Sequence, residues 1–205
     1  MKFSEEKTGT TIVGFKYKDG ILLAADSRTT SGQFIACHYS DKIDHLLPNI
    51  LACRSGSAAD TMFLGRVVSR EIKKIAYLEQ TNFSVHKMAN LIGRIISENQ
   101  SNFKASLLVA GFDKEFQIYK VAIDGTVIPS DIHIGGSGSL FIYGYCDAHY
   151  KPNMELEEAI DFATKLVKLA ISRDNSSGGV IRLATIEKEN KVTRYFVDGN
   201  KVLSE

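Results

Sequence analysis

Proline is scarce in this chain: 3 Pro stand in 205 residues, and no stretch is Pro-rich or of low complexity, which excludes an internal linker and a second domain. Neither sign of charge prevails, with 25 Lys plus Arg against 24 Asp plus Glu. That balance excludes an acidic tail and a strongly basic domain, so no nucleic-acid partner is expected and any charge-driven chemistry must be local. The 3 cysteines, Cys37, Cys53 and Cys146, are too few and too scattered for a disulfide framework and form no Cys-x-x-Cys pair, which points to a reducing compartment. Long apolar runs are missing as well. The longest, 21–25 and 107–112, fall far short of the roughly 20 residues that span a bilayer, so a soluble protein without a membrane partner is expected. The histidines at 38, 45, 86, 133 and 149 show no ligand spacing, and no metal or cofactor is expected. Nor is a secretory signal expected: the first nine residues, MKFSEEKTG, are polar, with two Lys against two Glu. The Asn-x-Ser triplets at Asn82, Asn99 and Asn175 therefore receive no role. What is present, 44% hydrophobic residues and 24% charged, suits one globular domain with a sizeable core.

The order of patterns gives the fold class. Residues 11–17 and 21–25 are apolar and β-branched runs separated by Lys18-Asp19-Gly20, a strong hairpin signal. Further strands are predicted over 33–37 and 49–54. From Ser57 the period turns helical, with Leu64, Val68, Ile72 and Ile75 as the stripe and Ser57 with Asp60 as a capping-box start, and the helix runs to about Glu79. A second helix is predicted from Ser84 to about Gln100. Strands follow over 105–112, 116–123 and 126–134, then helices over about 140–149 and 156–172, then strands over 179–187 and 192–197. Strands joined mostly by hairpins, in the order β, α-α, β, α-α, β, exclude the alternating β-α of a parallel sheet. Two antiparallel sheets packed face to face, each covered by a helix pair, bury every stripe: an α+β, four-layer α-β-β-α sandwich.

Two local features bear on chemistry. Gly135-Gly136-Ser137-Gly138-Ser139 lacks the glycine that a nucleophile elbow needs at position 139 and has no Lys for a phosphate loop, so by itself it is a turn into a helix. Gly9-Thr10-Thr11 at the first strand has two explanations. Adjacent threonines are ordinary strand residues. Alternatively, a threonine at a chain start carries a base in its own α-amine, whose ordinary pKa of about 7.7–8.0 keeps free amine available to take the hydroxyl proton. Cleavage between Gly9 and Thr10 would create such a site, and glycine leaves its carbonyl open to attack by the Thr10 hydroxyl.

Six segments in order, Gly9 to Val13, Ala25 to Thr30, Ser40-Asp41-Lys42, Cys53 to Asp60, Gly135 to Ser139 and Arg173 to Gly179, together resemble a proteasome β subunit over essentially the whole chain. Within that family, the Arg54 to Asp60 and Arg173 to Gly179 segments are most similar to the β1 type, the caspase-like catalytic subunit. The resemblance implies the N-terminal nucleophile hydrolase form of the four-layer sandwich. It also implies a propeptide over 1–9 removed on maturation and a single peptidase domain over 10–205. Carried over by motif, Thr10 is the nucleophile; Asp26 and Lys42 support it; Gly56 supplies the oxyanion N–H; and Ser137, Asp174 and Ser177 surround the Thr10 amine. Thr29, Thr30, Arg54 and Ala58 bind substrate, with Arg54 at the base of the pocket for an acidic side chain. Without the resemblance, Asp26 with Lys42 and Arg54 with a nearby Asp would be ordinary ion pairs. One departure touches specificity: Asp44 stands where the β1 pattern usually has an uncharged residue, and if its carboxylate reaches Arg54 the acidic preference is weakened.

The expected function is a threonine endopeptidase that cleaves after acidic residues, in ATP- and ubiquitin-dependent protein degradation. Its expected partners are other β subunits in a seven-membered ring, the α-ring subunits, the opposite β ring and unfolded polypeptide substrates, in cytoplasm and nucleus. The alternatives are a non-catalytic structural β subunit of the same ring, which usually lacks the Thr, Asp and Lys set, and a homo-oligomeric bacterial-type peptidase or small-substrate amidase, against which the Arg54 segment argues.

Overall fold

The computed structural model describes residues 9–32, 34–79, 83–99, 103–198 and 201–204. The Asp-Gly hairpin forms as expected: β1 (Ile12–Tyr17) runs antiparallel to β2 (Gly20–Asp26), with Ile12 opposite Ala25 and Tyr17 opposite Gly20. After it come β3 (Thr29–Ser31), β4 (Phe34–Cys37), β5 (Ile43–Leu47) and β6 (Ile50–Gly56), then α1 (Ala58–Glu79) and α2 (Val85–Glu98). The second β section holds β7 (Ala105–Phe112), β8 (Phe116–Val121), β9 (Val127–Pro129) and β10 (Ile132–Gly135). A 3-10 turn over Ser137–Phe141 leads to α3 (Tyr143–His149) and α4 (Leu156–Arg173), and β11 (Ile181–Glu187), β12 (Val192–Asp198) and β13 (Lys201–Ser204) follow. Gln33 and Gln100, expected at element ends, lie outside the described residues.

Two antiparallel sheets carry the fold. One has the order β10-β1-β2-β11-β12-β13 and the other β5-β6-β7-β8-β9, with β3 and β4 forming a separate hairpin. The four-layer sandwich is therefore present. Every residue of β2 is buried, because both of its faces are covered. Ile21, Leu23 and Ala25 face Leu51, Leu108 and Ile118 between the sheets, while Leu22 and Ala24 pack with Phe162 and Leu166 of α4. A strand covered on both sides reads as an unbroken apolar run rather than an alternation. On the opposite flank Leu64, Val68 and Ile72 of α1 meet Met88, Ile92 and Ile96 of α2 over the second sheet.

The structure corrects the expected strand over 126–134. It is two strands in different sheets: β9 pairs with β8 and β10 pairs with β1. Pro129 ends the first, since it has no N–H to extend a ladder. The crossing at 130–131 carries the chain from one sheet to the other and delivers Gly135 opposite Ile12. The loop after β10 is thereby brought beside Thr10. Three strands, β3, β5 and β13, were not expected; β3 is three polar residues long and β5 interrupts its apolar residues with Asp44 and His45. The helix expected over 140–149 is a 3-10 turn followed by the shorter α3.

Candidate active site

β1 and β2 converge on the start of the described chain. Thr10 is buried just before β1, and its hydroxyl donates to the Gly9 carbonyl oxygen at 2.6 Å. The Lys42 ammonium, in the segment leading into β5, donates to Thr10 Oγ1 at 3.1 Å, to the Gly9 carbonyl oxygen at 3.4 Å and to Asp26 Oδ1 at 2.7 Å. Burial pushes the Lys42 pKa down, and Asp26 opposes that by favouring the charged form. Asp26, at the end of β2, is fully buried. Its Oδ1 also accepts from the Thr11 N–H at 2.8 Å, and its Oδ2 accepts from the N–H groups of Gly178 at 3.0 Å and Arg28 at 3.1 Å. With three backbone donors and an ammonium around it, this carboxylate fixes four parts of the site at once. Gly9 is required by space as well as by chemistry: a Cβ there would lie 1.9 Å from the Ser176 Cβ.

A second cluster closes over the Thr10 nitrogen. The Thr10 N–H donates to Ser137 Oγ at 3.1 Å, and Ser137 Oγ donates to Asp174 Oδ2 at 2.7 Å. Ser177 Oγ donates to the same Oδ2 at 2.6 Å and lies 2.8 Å from the Thr11 hydroxyl. Asp174 follows the last residue of α4, and Ser137 opens the 3-10 turn after β10, so the cluster depends on the crossing between sheets.

The residues assigned to substrate binding share one small cavity of about 30 Å³, lined by Thr29, Thr30, Arg54 and Ala58 together with Thr10, Lys42 and Gly56, and by Ser40 and Thr61. Thr30 Oγ1 accepts from the Gly9 N–H at 3.2 Å, and the hydroxyls of Thr29 and Ser40 are 2.6 Å apart. Gly56 has φ of +112°, and a Cβ would come within 2.1 Å of the Lys104 carbonyl oxygen, so the backbone path into α1 needs glycine. Ser57 starts that helix by accepting from the Asp60 N–H at 3.3 Å, but the Asp60 carboxylate turns to the Lys104 N–H at 3.0 Å instead of completing the expected capping box.

Arg54 projects from β6 on the same face as Lys42 and Asp44. The Arg54 N–H bonds the Lys42 carbonyl, and Asp44 pairs with Ala52, two residues from Arg54. Its guanidinium donates to the Asp41 carbonyl, and its Nε lies 3.1 Å from Asp44 Oδ2. Asp44 therefore does reach Arg54. Arg194 of β12 supports the segment from below through Asp41 Oδ2 at 2.5 Å and the Ile43 carbonyl at 2.5 Å.

The eleven candidate residues thus gather in two contiguous groups, one around the Thr10 hydroxyl and cavity and one around its nitrogen. Thr11, Ser40, Thr61 and Arg194 were not singled out. Thr11 had a signal, its adjacency to Thr10, whereas Arg194 lies about 150 residues from its partners and left none. Chemically, a hydroxyl poised on a carbonyl, with a buried ammonium beside both oxygens, suits addition of Oγ1 to that carbonyl.

The sequence pattern of the family described as proteasome subunit matches residues 6–186. Among similar proteins, the probable proteasome subunit beta type-1 of Encephalitozoon cuniculi is 42% identical over 99% of this chain and 99% of its own. The probable proteasome subunit beta type-1 of Schizosaccharomyces pombe is 41% identical over 96% and 88%, and the proteasome subunit beta type-1 of Saccharomyces cerevisiae is 39% identical over 91% and 87%.

Proposed function

The chain belongs to the proteasome-subunit family, with beta type-1 subunits among its relatives, and from that premise we propose that it is a catalytic β1-type subunit of a proteasome core, a threonine endopeptidase with Thr10 as nucleophile. One observation carries this reading: a single buried ammonium, that of Lys42, touches the candidate nucleophile, the carbonyl of the bond to be cut and its own carboxylate partner.

Maturation comes first. Thr10 Oγ1 adds to the Gly9 carbonyl carbon, the Gly9–Thr10 C–N bond breaks, and the hydroxyl proton ends on the departing nitrogen. Water then hydrolyses the resulting ester, releasing residues 1–9 with a new carboxylate and leaving Thr10 with a free α-amine and a restored hydroxyl. Ser137 and, through it, Asp174 hold that amine beside Oγ1. In each turnover the amine takes the Oγ1 proton as Oγ1 attacks the scissile carbonyl, and passes it to the leaving amine of the product. The same amine then activates water against the acyl ester. The oxyanion is received by the Gly56 N–H, next to the α1 N-terminus, whose dipole favours negative charge. The Lys42 ammonium lowers the cost of Oγ1 deprotonation.

Arg54 offers a guanidinium to an acidic side chain at the cleavage position. Arg54→Gln should lower kcat/KM for peptides cut after glutamate by about 100-fold, and for peptides cut after leucine only a few-fold, because a charge-assisted pair contributes about 1.5–3 kcal/mol. Equal losses on both peptides would remove Arg54 from the pocket.

Large apolar side chains on the surface, Phe34 at 80% exposure and Leu140 at 79%, support burial against neighbouring chains. We assign those neighbours to the other β subunits, the α ring and the opposite β ring of a core that acts on ubiquitin-marked protein in cytoplasm and nucleus. The deciding experiment is an intact-mass measurement of this subunit in the native particle. The expected chain starts at Thr10; a chain that still starts at Met1 would make it a structural subunit.

A further inference from the structure

We propose that Asp44 is a specificity-determining residue that occupies Arg54 as an internal rival of the substrate's acidic side chain, so that the acidic preference of this pocket is set by competition between two carboxylates. The inference rests on the reading of Arg54 as the pocket base, and the geometry takes it further.

The antiparallel pairing of β5 with β6 puts Asp44 and Arg54 on one sheet face as diagonal neighbours, within reach of a long side chain. The Asp44 carboxylate sits 3.1 Å from Arg54 Nε, yet that buried Nε–H has no aligned hydrogen-bond acceptor. The contact is thus one of charge without the directed bond that a guanidinium forms with a well-placed carboxylate. An incoming glutamate or aspartate could make the directed bond that Asp44 does not, so the rivalry attenuates binding and does not prevent it.

Displacement carries a cost on the Asp44 side. Burial disfavours the charged form of Asp44, and Arg54 is the foremost of the groups that oppose this. Arg194 and His45 act in the same direction as Arg54, while Asp41 acts against. When a substrate carboxylate takes over Arg54, Asp44 loses that compensation and faces a like charge across the guanidinium. A leucine or glutamine side chain imposes no such penalty.

Arg54 also stands between two spaces, and Asp44 approaches it from one of them. Arg54 lines the small catalytic cavity and, on its other side, a cleft of about 600 Å³ lined by Asp44, His45 and the α1 residues Arg66, Arg70 and Lys73. Asp44 is the one acidic residue lining that cleft among the described residues. Its carboxylate thus holds Arg54 from the cleft side, and removing it leaves no other acid lining that cleft to take its place.

The test compares native particles carrying wild-type subunit, Asp44→Asn, Asp44→Ser and Asp44→Glu on matched peptides with glutamate or leucine at the cleavage position. The expected result is a rise of about tenfold in the glutamate-to-leucine ratio of kcat/KM for Asn and Ser, carried by a lower KM on the glutamate peptide, with Asp44→Glu staying near wild type. An unchanged ratio in particles that still cleave, or a ratio that falls because Asp44 only orients Arg54, would overturn the inference and leave the catalytic assignment standing. Absence of all hydrolysis from this subunit, wild type included, would remove the catalytic assignment and the inference with it.

Discussion

Thr10→Ala should abolish cleavage by this subunit, with a loss on the order of 10⁵-fold or more in kcat, and should leave residues 1–9 attached. The reason lies in the economy of the site: one hydroxyl is asked to open the Gly9–Thr10 bond and then every substrate bond, so alanine removes both events together. The fold should survive. Lys42 keeps Asp26 and the Gly9 carbonyl as acceptors, and the Thr10 N–H keeps Ser137. The structural cost is then the two hydrogen bonds of the lost hydroxyl, one to the Gly9 carbonyl and one from Lys42, roughly 2 kcal/mol. Particles carrying the variant should therefore assemble and retain an unprocessed chain by intact mass while failing on the glutamate peptide. Thr10→Ser, which restores a hydroxyl, should restore processing. A Thr10→Ala particle that cleaves the glutamate peptide at the wild-type rate would sink the assignment of the nucleophile.

How much of this was legible beforehand depends on how locally each feature is encoded. The β1–β2 hairpin needs only two apolar runs and an Asp-Gly turn, and α2 needs only its stripe and Ser84, whose hydroxyl accepts from the Lys87 N–H. The division of residues 126–134 between two sheets could not be read from strand propensity, because the signal is one proline and the destination of the second half is set by β1, more than 100 residues earlier. The same holds in the site. Asp26, Lys42 and Thr10 were found through their motifs, since spacing along a chain does not say that an ammonium will sit between a hydroxyl and a carboxylate. Asp44 was visible as a departure at one position, but whether it reaches Arg54 depends on the β5–β6 register. Arg194, which braces Asp41 from β12, is an arginine in an edge-side strand with nothing local to mark it.

The second large effect is expected at Asp26, and it should appear in stability as well as activity. Both oxygens of this fully buried carboxylate accept from two donors: Oδ1 from Lys42 and Thr11, Oδ2 from Gly178 and Arg28. In Asp26→Asn one oxygen becomes an NH2 group. Whichever way the amide is turned, a donor then faces two donors. In either orientation the Lys42 ammonium loses its buried counter-charge; if the NH2 faces Lys42 and Thr11, those two donors also lose their acceptor, and if it faces Gly178 and Arg28, two backbone N–H groups lose theirs. Breaking a buried pair from one side costs about 3–5 kcal/mol. At roughly 2–4 °C per kcal/mol for a chain of this size, the subunit should unfold about 10 °C lower. With the countercharge gone, the burial that already lowers the Lys42 pKa acts unopposed by Asp26, so Lys42 sheds its proton more readily and supports the Oγ1 anion less. Activity should then fall by at least about 100-fold in particles that still assemble, with processing slowed in parallel. Lys42→Met provides the contrast. It leaves Asp26 with its three backbone donors, so it should abolish cleavage while lowering the unfolding temperature less than Asp26→Asn does. Equal thermal losses in the two variants would mean that the ion pair, and not the backbone donors, is what Asp26 chiefly holds in place.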